Sequence, residues 1–240
     1  MKDTKPLLSI AVMYPETTSN EELAAFIANV PRHPDVQLVM CENRIKPHTN
    51  GVRLLMSKDK VIRLAHTMHE FVFDEARNVV KQHCEGEWIL SLDFDEFLAT
   101  PINAIVSVLR GLDEETEGVQ CTVLSHVREL SDDTSYPYKR IASAATRLFR
   151  NRPSITWMSR CHEVVDFTIP PDNIADSSIT ILHYGYDAEA DVLRSKYERN
   201  IELLAKEISQ PRSKDTKEHA MRYMIISCAD YHKNFTNLTL

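Results

Sequence analysis

The chain has 240 residues, 43% of them hydrophobic, which is enough for a domain-sized core and excludes wholesale disorder. Its net charge of -7 argues against a protein that draws nucleic acid or anionic membrane onto its whole surface. Five glycines, with neither a G-x-G-x-x-G nor a Walker-type lysine loop, exclude a glycine-rich nucleotide fold, and five scattered cysteines without a C-x-x-C pair suggest neither a zinc site nor a disulfide framework.

Residues 7–14 (LLSIAVMY) form a short apolar run that reads as a buried strand, the first of a parallel sheet, ended by Pro15. Asn20 is expected to cap a helix over 21–30, with Glu21 and Glu22 near its positive end. Residues 37–41 (QLVMC) read as a second strand, and 52–56 and 61–65 as two shorter ones. Asp74 or Glu75 opens a helix with Phe73, Ala76, Val80 and Cys84 on one face, and Gly86 is placed to stop it. Residues 88–92 (WILSL) follow as a strand, and the chain turns acidic at once in Asp93-Phe94-Asp95-Glu96. Pro101 starts another helix to about residue 109.

Residues 119–127 read as a strand and 129–140 (ELSDDTSYPYKR) as a polar loop able to close over a substrate. Strands are expected at 146–150, 162–167 and 179–183. From Asp187 the pattern becomes helical: Leu193, Tyr197, Ile201, Leu204 and Ile208 make one stripe, Pro211 breaks it, and a second helix covers about 215–231. The fold class is α/β, a mostly parallel central sheet flanked by helices with a C-terminal helical hairpin. The expected boundary lies near residue 186.

The start Met-Lys-Asp-Thr-Lys-Pro lacks a signal-type apolar region, and no apolar run is long enough to span a bilayer, so the expected location is cytoplasmic. In that compartment the two N-x-T sequons at Asn234 and Asn237 are chance matches. Lys139, Arg140, Arg147, Arg150 and Arg152 could line a basic groove, or meet phosphates and carboxylates locally.

Ligands of open α/β sheets bind beyond the carboxyl ends of the strands, where Asp93 and Asp95 stand. Two carboxylates one residue apart suit a hard divalent cation, which in turn can neutralise a departing diphosphate. A solvated acidic turn has the same pattern, so the motif alone leaves both readings open. An EF-hand is excluded, because its sixth-position glycine is missing and Ala104 stands at the place of its bidentate glutamate. A haloacid-dehalogenase-type phosphatase wants Thr or Val where Phe97 stands.

The wider context is more specific. Phe73-Asp74-Glu75-Ala76-Arg77-Asn78 followed by Gly86-Glu87-Trp88-Ile89-Leu90-Ser91-Leu92-Asp93-Phe94-Asp95-Glu96 resembles family 2 glycosyltransferases of the GT-A fold. Arg147-Leu148-Phe149-Arg150-Asn151-Arg152, Cys161-His162-Glu163, Ile181-Leu182-His183-Tyr184-Gly185-Tyr186 and Lys196-Tyr197-Glu198-Arg199-Asn200 continue the likeness in order, over roughly residues 70–209. The first third departs from it: Tyr14-Pro15-Glu16 replaces the usual turn after the first strand, and Cys41-Glu42-Asn43 replaces an aspartate-rich turn that reads the base.

The resemblance implies a GT-A-like catalytic domain over 1–186 and a helical extension over 187–240, which could pack on the domain or pair two chains. It implies a nucleotide-sugar donor, UDP-sugar first, with Mn2+ or Mg2+ as cofactor. The acceptor would be a glycan, lipid, protein or modified nucleic acid. Asp93, Arg147, Glu42, Arg77 and Asn78 are the expected donor-binding residues. Asp95 and His183 are the expected metal ligands, a core histidine being the alternative for His183. Glu163 is the expected general base of an inverting transfer, with a salt bridge to Arg147 or Arg160 as the alternative. On a strand, His162 would face away from Glu163. Glu96 is expected to brace the turn, and Trp157 to stack on a sugar or sit in the core. A metal-dependent phosphatase or nucleotidyltransferase, or a non-catalytic glycan-binding protein, remain as rivals.

Overall fold

A computed structural model of the chain describes residues 5–46, 48–58, 60–128 and 138–235. Among these residues nine strands form one sheet in the order β3-β4-β2-β1-β5-β8-β7-β9-β6, flanked by three helices and followed by a helical hairpin. The strands are β1 Leu8–Pro15, β2 Val36–Ile45, β3 Gly51–Lys58, β4 Val61–Met68, β5 Trp88–Asp93, β6 Glu96–Leu98, β7 Gly118–Arg128, β8 Tyr138–Arg150 and β9 Ile174–Tyr186. The helices are α1 Asn20–Asn29, α2 Phe73–Gln82, α3 Ile102–Gly111, α4 Ala190–Ser209 and α5 Lys214–Phe235. Among the described strands β1, β2, β4, β5, β7 and β9 run one way, while β3, β6 and β8 run against them. The fold is therefore α/β with a mostly parallel sheet.

β1 lies between two parallel partners and is covered by helices on both faces, which is why its sequence is apolar almost without a break. Leu8, Ile10, Val12 and Tyr14 share one core with Leu23 and Phe26 of α1 and with Ile105, Val106 and Leu109 of α3. Ala11 and Met13 share the other with Ala76 and Val80 of α2. Ser9 is the polar exception in β1. Its hydroxyl donates to Gln37 Oε1 at 2.6 Å and accepts from Gly86 N at 2.9 Å, so the turn into β5 is fastened to β1.

Gly86 has a packing role and does not stop α2, which ends earlier, with His83 as its C-cap. A Cβ on Gly86 would lie 2.5 Å from the backbone N of Ser9 and 2.7 Å from the carbonyl carbon of Leu8. Because these neighbours are backbone in a central strand, Gly86→Ala is expected to cost about 1–3 kcal/mol, seen as a lower urea midpoint.

Several local expectations are corrected. Ser19, rather than Asn20, caps α1, because Glu22 stands three residues on and closes a capping box with it. Residues 162–167 are no strand. Met158 and Val164 form a single bridge, a 3-10 turn follows at Asp166–Thr168, and Ser159 and His162 have φ of 85° and 53°. β8 and β9 extend well before the expected 146–150 and 179–183, and the short β6 was not foreseen. Of the polar loop at 129–140, residues 129–137 lie outside the described residues and 138–140 belong to β8. The sequon residue Asn237 also lies outside them.

The hairpin packs Leu203, Leu204 and Ala220 against Cys161. Its polar joint is Glu207, fully buried, which accepts from Arg212 Nη2 at 2.8 Å and from Arg160 N at 3.3 Å. Arg212 Nη1 reaches Asp74 at 2.7 Å, tying the hairpin to the start of α2. Among the described residues no helix is long and apolar enough to cross a membrane.

Candidate active site

The register sets Met13 of β1 level with both Cys41 of β2 and Asp93 of β5, so the carboxyl ends of three parallel strands lie on one side of the sheet, β2 running on to Ile45. The acidic turn leaves β5 at this edge and returns as β6, whose Glu96 pairs with His183 of β9. Residues far apart in sequence are thereby brought to one place.

Arg77 is the centre of the site. It projects from the buried face of α2, and its planar guanidinium serves three groups at once. Nη1 donates to Ser91 Oγ at 2.8 Å, Nη2 to Asp93 Oδ1 at 2.7 Å, and Nε to Glu163 Oε1. Its charged plane also lies over the Trp157 ring, 4.8 Å from the centroid. Burial would lower the Arg77 pKa, but Asp93 and Glu163 outweigh it, so the group stays charged. Burial alone would raise the Asp93 carboxyl, yet Arg77 and then Arg147 hold it well below the usual carboxylate range.

Arg147 reaches the same turn from β8. Its Nη2 donates to Glu96 Oε1 at 2.7 Å and lies 3.6 Å from Asp93 Oδ2. Glu96 is fully buried, and its other oxygen accepts from Asp93 N at 2.8 Å. It braces the turn, as the sequence suggested. Two guanidinium groups thus face three carboxylates, those of Asp93, Glu96 and Glu163. Glu96 absorbs the imbalance: burial pushes its pKa up to about 7 against the pull of Arg147. The folded chain therefore binds a proton that the unfolded chain has released above about pH 4.5. The stability that goes with it is full below that pH and is lost as pH rises through about 7. Glu96→Gln is expected to flatten the dependence of the urea midpoint on pH across this window.

Asp95 points elsewhere. Its backbone carbonyl accepts from Tyr184 N at 3.0 Å, and its side chain is 40% exposed. Oδ1 lies 3.7 Å from His183 Nε2, and Oδ2 lies 3.7 Å from Lys196 Nζ of α4. Ser125 Oγ is 3.1 Å from His183 Nδ1, and the tautomer that donates to it leaves the Nε2 lone pair turned to Asp95. Burial lowers the His183 pKa, against the pull of Asp95, which favours a neutral imidazole. A Cβ on Gly185 would overlap both Asp95 Oδ2 and His183 Nε2, so a side chain there would push these two groups from their present places.

Two donors about 2.1 Å from one Mg2+ or Mn2+ lie roughly 3–4 Å apart, and the Asp95–His183 pair meets that test. Among the described residues no group of three His, Cys, Asp or Glu side chains stands ready to cage an ion. An ion held by this pair would need further oxygens from ligand and water, as Mg2+ usually does at phosphate sites.

The other expected site residues separate. Glu163 joins the cluster, but through Arg77 rather than Arg147 or Arg160, and its side chain is 9% exposed. It does face away from His162, through a left-handed turn rather than strand alternation. His162 stacks on Tyr223 of α5 at 4.1 Å, and its carbonyl accepts from His219 Nε2 at 2.7 Å. Asn78 is turned from the donor edge: its amide accepts from Trp157 N and donates to Trp157 O, both at 2.9 Å, so it fixes the loop under Arg77. Trp157 itself is core, 4% exposed and edge-on to Phe149. Glu42 stands at the same sheet edge, across from Tyr14, with Oε1 taken by Arg44 Nε at 2.6 Å. Arg150 and Arg152 pair with Glu87 and Glu117, and Arg147 with Glu96, so these three arginines meet carboxylates locally.

Three site residues carried no assigned role from sequence. Ser91 was signalled by a hydroxyl inside the otherwise apolar WILSL strand. Lys196 stood in the motif series without a role, and Ser125, on an ordinary strand, gave no comparable sign.

No family model matches the chain. A similar sequence is the TPR repeat-containing protein Synpcc7942_0270 of Synechococcus elongatus (strain ATCC 33912 / PCC 7942 / FACHB-805). It is 35% identical over 145 residues, covering 57% of this chain and 34% of that protein. The chain thus spans about a third of the length of the curated relative it matches. Among solved structures it is similar to S. aureus TarS 1-349 in complex with UDP, at TM-score 0.44 and 12% identity, covering 97% of this chain and 73% of that one. It is also similar to the mannosyltransferase PcManGT from Pyrobaculum calidifontis in complex with GDP-Man and Mn2+, at TM-score 0.44 and 11% identity, covering 99% and 77%. At these scores the likenesses decide no activity, which has to be read from the residues of the site.

Proposed function

We propose that the chain is a metal-assisted glycosyltransferase of the GT-A type. It would move a sugar from a nucleotide-diphosphate donor, UDP-sugar first among them, to an acceptor hydroxyl with inversion. The observation that carries this reading is the union of Arg77, Asp93, Arg147 and Glu163 in one network, with Asp95 and His183 beside it at the strand edge. These residues come from separate stretches of the motif series, and a solvated acidic turn requires none of them to meet.

In this reading Arg77 and Arg147 hold Asp93 ionised and fixed, so that it orients the donor ribose. Asp95 and His183 are the residues that would hold Mn2+ or Mg2+, which supplies positive charge to the departing diphosphate. Glu163 is the general base. Arg77 takes its Oε1, and we assign Oε2 to the acceptor. The acceptor oxygen bonds to the anomeric carbon, its proton passes to Glu163, and the bond to the diphosphate oxygen breaks with the electron pair leaving on the diphosphate. Residues 1–186 form the catalytic unit and 187–240 its helical extension. The acceptor class remains a glycan, lipid, protein or modified nucleic acid hydroxyl.

Glu163→Gln tests the base. It keeps a hydrogen-bond acceptor for Arg77 and removes the proton acceptor. The expected result is a fall in kcat of about 10²–10⁴ with the donor KM little changed. Unchanged kcat would assign Glu163 to holding Arg77 alone.

A further inference from the structure

The cation nearest to Asp95 belongs to the chain itself. Lys196 Nζ lies 3.7 Å from Asp95 Oδ2 and donates to the Gly185 carbonyl at 2.8 Å. His183 faces the other carboxylate oxygen at the same distance. The ammonium therefore stands beside the pair of donors that an ion would use, anchored by a backbone oxygen that orients it. It arrives from α4, after the strand that carries His183, and its side chain is about one-third exposed. An ammonium and a divalent cation this close repel one another, so both cannot share Asp95 at full strength.

We infer that Lys196 is a tethered cation at the Asp95–His183 pair, which a divalent ion must displace in order to bind. Without an anionic ligand the lysine neutralises Asp95 and keeps ion binding weak. When a diphosphate arrives, its charge offers the ammonium a second partner, and the ion then enters without leaving Lys196 unpaired. The identity of that diphosphate rests on the transferase reading; the competition between Lys196 and the ion does not.

The test is the amount of Mn2+ bound by the full chain, read from the electron paramagnetic resonance signal of the free ion, first without and then with UDP. Lys196→Gln is expected to tighten Mn2+ binding in the absence of UDP by roughly two- to fivefold, the worth of a partly exposed ion pair. Lys196→Arg, which restores a cation, is expected to return it towards the wild-type value. Asp95→Asn should abolish the binding in either background. UDP should tighten Mn2+ binding more in the wild type than in Lys196→Gln. Equal Mn2+ affinity in wild type and Lys196→Gln, or binding that survives Asp95→Asn, would overturn the inference. Tighter binding in Lys196→Gln with no response to UDP would uphold the tethered cation and count against the UDP-sugar reading instead.

Discussion

Arg77→Met is expected to be among the most damaging single substitutions in the chain. The new side chain fills similar space but leaves Asp93, Glu163 and Ser91 without their shared donor. Removing one partner from a buried ionic network costs about 3–5 kcal/mol, because the remaining charges stay desolvated and unpaired. Asp93 would lose the strongest influence that holds its pKa down, leaving Arg147, 3.6 Å away, and then His183 to oppose its burial. Urea unfolding followed by circular dichroism measures the stability loss. Arg77→Lys should recover little of it, since one ammonium cannot address three partners in the plane of a guanidinium. A stability within about 0.5 kcal/mol of wild type, the range of a surface substitution, would show that the network does not hold the site together.

Asp95→Asn is expected to have the opposite profile, with the fold intact and the function lost. Its side chain is 40% exposed, and its contacts to His183 and Lys196 are both near 3.7 Å, so stability should change by less than about 1 kcal/mol. The amide keeps the shape but removes the charge that a divalent ion needs. Loss of such electrostatic stabilisation of a leaving group typically costs about 10²–10³ in kcat. Turnover of a nucleotide-sugar donor at saturating Mn2+ is the measurement, and turnover within about threefold of wild type would remove Asp95 from the ion site. The contrast between the two variants is itself informative. Arg77 holds the architecture of the site, whereas Asp95 faces the solvent side where chemistry would occur.

Much of this was legible in the chain before its fold. β1 and β5 are read correctly because a strand covered on both faces needs an unbroken apolar run, and α2 because Ala76 and Val80 recur at helical spacing. Asp93 and Asp95 were read at a strand end from the sequence, and the structure sets Arg147 3.6 Å from Asp93 and His183 3.7 Å from Asp95. The misreadings have physical causes. Ser19 and Asn20 are both good caps, and only the partnership with Glu22 selects the serine. Residues 174–178 of β9 are largely polar, yet they belong to the strand because β7 supplies its hydrogen-bonding partner. The segment around Glu163 bends through two left-handed residues, Ser159 and His162, which no alternation pattern discloses. Asn78 stands beside Arg77 in sequence, but one helical step of about 100° turns its amide to Trp157. Lys196 stood in the motif series without a role, because only the packing of α4 brings it beside the turn carrying Asp95.

The central claim is that this edge of the sheet handles a nucleotide-diphosphate sugar. It is tested most directly by the release of nucleoside diphosphate from a panel of such sugars, with and without Mn2+, using Asp95→Asn as the control. The expected result is metal-stimulated release of UDP from at least one UDP-sugar, lost in the variant. Release of phosphate from simple phosphomonoesters with no sugar nucleotide present, or tight UDP binding without turnover across a wide acceptor panel, would contradict it.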